Sequence, residues 1–252
     1  MTISFHAHSI FVEQPLHLGL QQRRYLVGMR FAVQAIELSW TRLQQTLAVW
    51  RGAARVSEGD VTSVALMTDL WSIIDNGRRV QRFLWTIPEL KEDAVAKEFV
   101  DRWSVLKNAR DILQHIDRDF SKDEVAGNHI FGEIFWVDSR SRVKENKIFA
   151  FRVPFGPQSN RKLKDDKFPI SIPIDSGEGI ELVVSKFGEE IINISELVND
   201  IRDTFVKLDE RWTNLTLRQL QLEQSRNPAM REKLQERVRA DTGFCITLSP
   251  KD

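Results

Sequence analysis

The stretch Pro88–Phe120, PELKEDAVAKEFVDRWSVLKNARDILQHIDRDF, decides how the chain is read. Phe99, Trp103, Leu106, Leu113 and Phe120 recur at helical spacing, which lays one apolar stripe along an amphipathic helix. Arg110 and Asp117 occupy two slots of the same recurrence, where apolar residues are expected. An ion on a core-facing stripe needs a partner, because burying it alone is costly. Arg110 can pair with Asp117 two turns on, or with a carboxylate on another helix. Either pairing would lock the register of a bundle.

Upstream, the helical signal is clearest from about Leu18 to Trp50. Leu26, Met29, Val33, Ile36, Trp40, Leu43, Leu47 and Trp50 alternate spacings of three and four, the seam of a bundle helix. Gly52 and the polar Ser57–Asp60 form a turn. A second helix follows to about Trp85, with Met67, Leu70, Ile74 and Leu84 on one face and Gly77 in register with them. Glycine costs roughly 1 kcal/mol of helix propensity against alanine, so Gly77 marks a close helix approach or a local irregularity. Asp75 and Arg79 are spaced to pair on one helix face. Thr86-Ile87-Pro88 ends this helix and opens the third, proline being favoured in a first turn.

Downstream of Phe120 the period changes. Residues 129–137, HIFGEIFWV, and 147–153, KIFAFRV, are rich in aromatic and β-branched residues and predict a hairpin. Pro154–Phe168 is loop-like. Further strands are expected at Ile170–Ile172, Gly179–Val184 and Glu190–Ile194, giving an antiparallel sheet of three to five strands. Ser195 can cap the last long helix, which carries Val198, Ile201, Phe205, Leu208, Trp212, Leu215 and Leu222 at bundle spacing. A short charged helix to about Ala240 and a terminal strand at Gly243–Leu248 complete the reading; residues 1–17 are ambiguous, with Ser9–Val12 able to form a short strand that Pro15 closes. The expected fold is α+β and mainly α. It is a single domain over 1–252: a four-helix bundle (18–120 and 195–240) with a small antiparallel β-sheet (128–194) inserted between the third and fourth long helices.

Composition sets outer bounds. The 252 residues are 42% hydrophobic and 29% charged, with Lys+Arg and Asp+Glu both 36. Such a balance produces no global field toward nucleic acid or an anionic membrane. One cysteine, Cys245, excludes an internal disulfide and fits a reducing compartment. No window nears the ~18 apolar residues of a membrane span, and the first residues lack the pattern of a signal peptide. A cytoplasmic protein is expected, with no membrane partner.

Chemical motifs are sparse. There is no Gly-rich phosphate loop, no nucleophile elbow, and no carboxylate or cysteine near His6-x-His8 to complete a metal site. No cofactor or metal is expected. Arg23-Arg24 with Arg30, and Arg78-Arg79 with Arg82, are local basic clusters that suit phosphate contact or a solvated surface. The seven Trp, spread over the helices and the first strand, are read as core anchors.

Arg110, Asp111 and His115 form an Arg-x4-His pattern with Asp after the Arg, in the third helix of a bundle. This pattern resembles the HEPN superfamily (higher eukaryotes and prokaryotes nucleotide-binding). The resemblance covers roughly residues 18–120 and the last long helix and leaves the sheet unexplained. It implies a metal-independent ribonuclease or nucleotide-binding protein acting as a homodimer on RNA, within a toxin or defence system. Arg110 would hold the scissile phosphate and His115 would assist proton transfer, with Asp111 between them. On an ideal helix, however, Arg110 and His115 point about 140° apart. The other reading is a structural or interaction module without catalysis, with Arg110 paired to a carboxylate and His115 at the surface, bonded to Asp111.

Overall fold

The computed structural model describes residues 9–12, 19–50, 61–115, 132–141, 150–154, 169–170, 180–187 and 189–226. Two long antiparallel helices come first: α1 (Leu20–Trp50) and α2 (Val61–Thr86). Every residue of the expected α1 seam from Leu26 to Leu47 is buried, and it packs on the Met67, Leu70, Ile74 and Leu84 face of α2. Gly28 brings the two helices close, since a Cβ there would lie 2.7 Å from the Phe83 ring. Between them the Ser39 hydroxyl donates to the Ser72 hydroxyl (2.8 Å) and Arg42 pairs with the buried Asp69.

The third rod is not one helix. It comprises α3 (Pro88–Lys91), α4 (Ala94–Arg102) and α5 (Val105–Gln114). Asp93 makes the first break: its carboxylate accepts from the Val95 and Ala96 amides (2.9 and 3.4 Å) and so caps a new helix. Gln81 of α2 supports the second. Its buried side-chain amide donates to the Val100 and Trp103 carbonyls (3.2 and 2.7 Å), replacing helical donors where the chain turns at Trp103–Ser104. Phe99, Trp103 and Leu106 nonetheless remain buried as the periodicity requires.

The sheet follows, in the order β2-β1-β3-β4 and antiparallel throughout, with β1 (Glu133–Ser141), β2 (Ala150–Pro154), β3 (Ile180–Phe187) and β4 (Glu190–Asn193). Ile134 and Trp136 of β1 join the helical core, while Phe135 and Val137 form a second small cluster with Leu182, Val184 and Ile170. Burial on both faces explains the unbroken apolar run of β1. One continuous core therefore spans helices and sheet.

From β4 the chain passes directly into α6 (Ile194–Arg226). Asn193, not Ser195, caps it: Asn193 Oδ1 accepts from the Glu196 amide (3.1 Å), and the Asn193 side-chain amide donates back to Glu196 (3.2 Å). The Ser195 hydroxyl instead accepts from the Val183 amide (2.9 Å), tying the helix to the sheet. Val198, Ile201, Phe205 and Leu208 are buried and Trp212 half-buried, but Leu215 and Leu222 are exposed. Ser9–Val12 is a turn and not a strand, closed by the Val12 amide on the Ser9 carbonyl (2.9 Å). It buries Phe11 against Phe205, ring centroids 5.2 Å apart.

The chain is thus α+β and mainly α. Among the described residues no helix is long and apolar enough to cross a membrane. Asp117, Phe120, His6, His8 and Cys245 lie outside the described residues. So do residues 155–168 of the expected loop, whose first residue, Pro154, ends β2, and the expected charged helix to Ala240 and terminal strand at Gly243–Leu248.

Candidate functional site

Asp75, Arg78, Arg79 and Arg82 follow one another at helical spacing on α2, and α5 lays Arg110 and Asp111 beside them. Arg110 Nε donates to Asp75 Oδ1 at 2.7 Å, and Arg79 Nη2 holds Asp75 Oδ2 at 2.8 Å. One carboxylate therefore bridges two guanidiniums and joins α2 to α5. Of the partners open to Arg110 in the sequence, the structure shows the carboxylate on another helix. The expected Asp75–Arg79 pair is also present.

Arg78 donates to Gln81 (3.1 Å). Partial burial and then the neighbouring Arg82 pull its pKa below the ordinary arginine value. Asp111 offsets this, and Arg110 adds to it. Arg78 thus stands close to two other guanidiniums, those of Arg82 and Arg110, with Asp111 the carboxylate that offsets them.

His115 sits elsewhere. It is the residue that ends α5, with its backbone amide donating to the Asp111 and Ile112 carbonyls (3.2 and 3.3 Å). Its side chain is exposed, and among the described residues its imidazole makes no hydrogen bond, to Asp111 or otherwise. Arg110 and Asp111 therefore meet at the α2–α5 junction, while His115 stands at the helix end. Among the described residues no group of three His, Cys, Asp or Glu could hold a metal ion. The arrangement can clamp a phosphate or a helix, and among the described residues the group bonded to Arg110 is the Asp75 carboxylate and not the His115 imidazole.

The sequence reading missed several polar links. Arg202 of α6 grips Glu37 of α1 with two bonds (2.7 and 2.8 Å), and both side chains are largely buried. Arg211 reaches the second oxygen of the capping Asp93 (2.7 Å). Arg102 pairs with Glu196 and Asp200, and Asp200 also accepts from the Trp103 indole (2.9 Å). Glu37 lies directly after the seam residue Ile36, which was the available signal; its partner 165 positions away left none. No family model, curated protein or solved structure matches the chain.

Proposed function

We propose that the chain is a non-catalytic helical interaction module working in the cytoplasm, where its single cysteine would stay reduced. The observation that carries this is the Arg110–Asp75 bond. The guanidinium that a nuclease would turn toward phosphate instead sets the register between two helices. The other arginine–carboxylate links do the same between α1 and α6, α1 and α2, and α4 and α6. The test is RNA cleavage without added metal by the wild type, Arg110→Ala and His115→Ala. No cleavage by any of the three is expected. Wild-type cleavage abolished by His115→Ala, an exposed and structurally harmless change, would overturn the proposal.

A second reading, the HEPN-like ribonuclease or nucleotide-binding protein, is favoured by the crowding of Arg78, Arg82 and Arg110. Clustered guanidiniums grip phosphate well. On this reading RNA lies along α2 and α5. Arg110 then needs one free edge beyond the Nε that Asp75 occupies.

A further inference from the structure

The face of α1 opposite its buried seam is also apolar. Leu20, Val27, Phe31, Leu38 and Val49 are 38–70% exposed, and at ~100° per residue they fall within about 40° of one another around the helix. Leu26, Met29, Val33, Ile36 and Leu43 lie on the far side, against the core. The stripe therefore runs along the outermost line of α1, where another helix can lie without meeting α2 or α6.

The stripe matches itself when reversed. An antiparallel copy centred between Gln34 and Ala35 sets Leu20 against Val49, Arg24 against Gln45, Phe31 against Leu38, and Val27 against the stem of Arg42, whose guanidinium is held by Asp69. A two-fold interface demands this kind of self-complementarity. Charge selects the same direction. Arg23, Arg24 and Arg30 lie in the first half of α1, whereas Leu43–Trp50 carries no charge and Arg42 is already paired with Asp69. A parallel pair would stack Arg24 on Arg24, while an antiparallel pair lays each basic half along a neutral one and opposes the helix dipoles favourably.

We infer that the partner of this face is a second copy of the chain, docked α1 to α1 in antiparallel register with Phe31 and Leu38 of both copies meeting at the two-fold axis. This rests on the interaction-module reading, for which it names the partner. A strip ~44 Å long and ~10 Å wide on each copy buries on the order of 900 Å² in total, just under the roughly 1,000 Å² floor of stable interfaces and in the range of weak, transient ones. The dimer is accordingly a weak, reversible one.

Sedimentation of the full chain from low micromolar to sub-millimolar concentration should show a monomer–dimer equilibrium. Phe31→Glu and Leu38→Glu should each weaken it at least tenfold with unchanged circular dichroism. In a Cys245→Ser background, oxidised Gln34→Cys should form a covalent dimer by itself. Arg24→Cys and Gln45→Cys should cross-link only when mixed. A chain that stays monomeric throughout, as it would if the stripe served a different protein, overturns the inference, and so does self-cross-linking of Arg24→Cys alone. Only association state is read, so failure here leaves the non-catalytic reading intact, and RNA cleavage would count against that reading alone.

Discussion

At the scale of single residues, the partly exposed and deeply buried ion pairs should behave differently. Asp75 is shared by Arg110 and Arg79, and all three keep some solvent contact. Asp75→Asn is expected to cost about 1–2 kcal/mol in urea unfolding. Glu37 is only 6% exposed and accepts from both Nε and Nη2 of Arg202. Glu37→Gln strands a largely buried guanidinium and should cost about 3 kcal/mol or more. Equal losses in the two variants would show that burial does not govern these links. Arg78 carries the opposite sign. Its depressed pKa means that its positive charge costs stability at every pH below the ordinary arginine range. Arg78→Gln is therefore neutral to stabilising, and inorganic polyphosphate should raise the melting temperature of the wild type more than that of the variant. A destabilised Arg78→Gln would contradict the crowding.

At the scale of elements, two glycines separate close approach from mere irregularity. A Cβ at Gly28 meets the Phe83 ring at 2.7 Å, and Phe83 is itself packed against Tyr25. Gly28→Ala should destabilise by about 1–3 kcal/mol through overpacking. At Gly77 the nearest atoms are Leu106 Cδ1 at 3.3 Å and Leu197 Cδ2 at 3.7 Å, flexible side-chain ends. Gly77→Ala gains roughly 1 kcal/mol of helix propensity and should come out near neutral by thermal unfolding. Tryptophans divide in the same way. Trp40 is buried in the α1 seam, and Trp40→Ala should cost ~3–5 kcal/mol. Trp212 is half-buried, so Trp212→Ala should cost clearly less in the same denaturation series. Trp85 is not a core anchor at all: it is 57% exposed, with Lys91 Nζ 4.9 Å from its ring centre.

At the scale of the whole molecule, the helical periods and the runs of aromatic and β-branched residues were enough to place two long helices, a later sheet and a final long helix. Burying apolar surface is the dominant favourable term in folding, and its pattern is written along the chain. Leu26 to Leu47, and Val198 to Leu208, are buried where that pattern puts them. The pattern could not show where the third rod breaks. Asp93 caps one piece, and Gln81, distant in sequence, satisfies carbonyls at the next break. Nor could it assign the cap of α6, because Ser195 and Asn193 are both competent and only the position of Val183 decides between them. The partner of Arg110 and the position of His115 were likewise decided by tertiary packing. Local sequence sets which face of a helix seeks the core, because side-chain direction repeats with the backbone. Which ion meets which depends on how whole helices stack, since an arginine reaches any carboxylate that packing brings within a few ångströms.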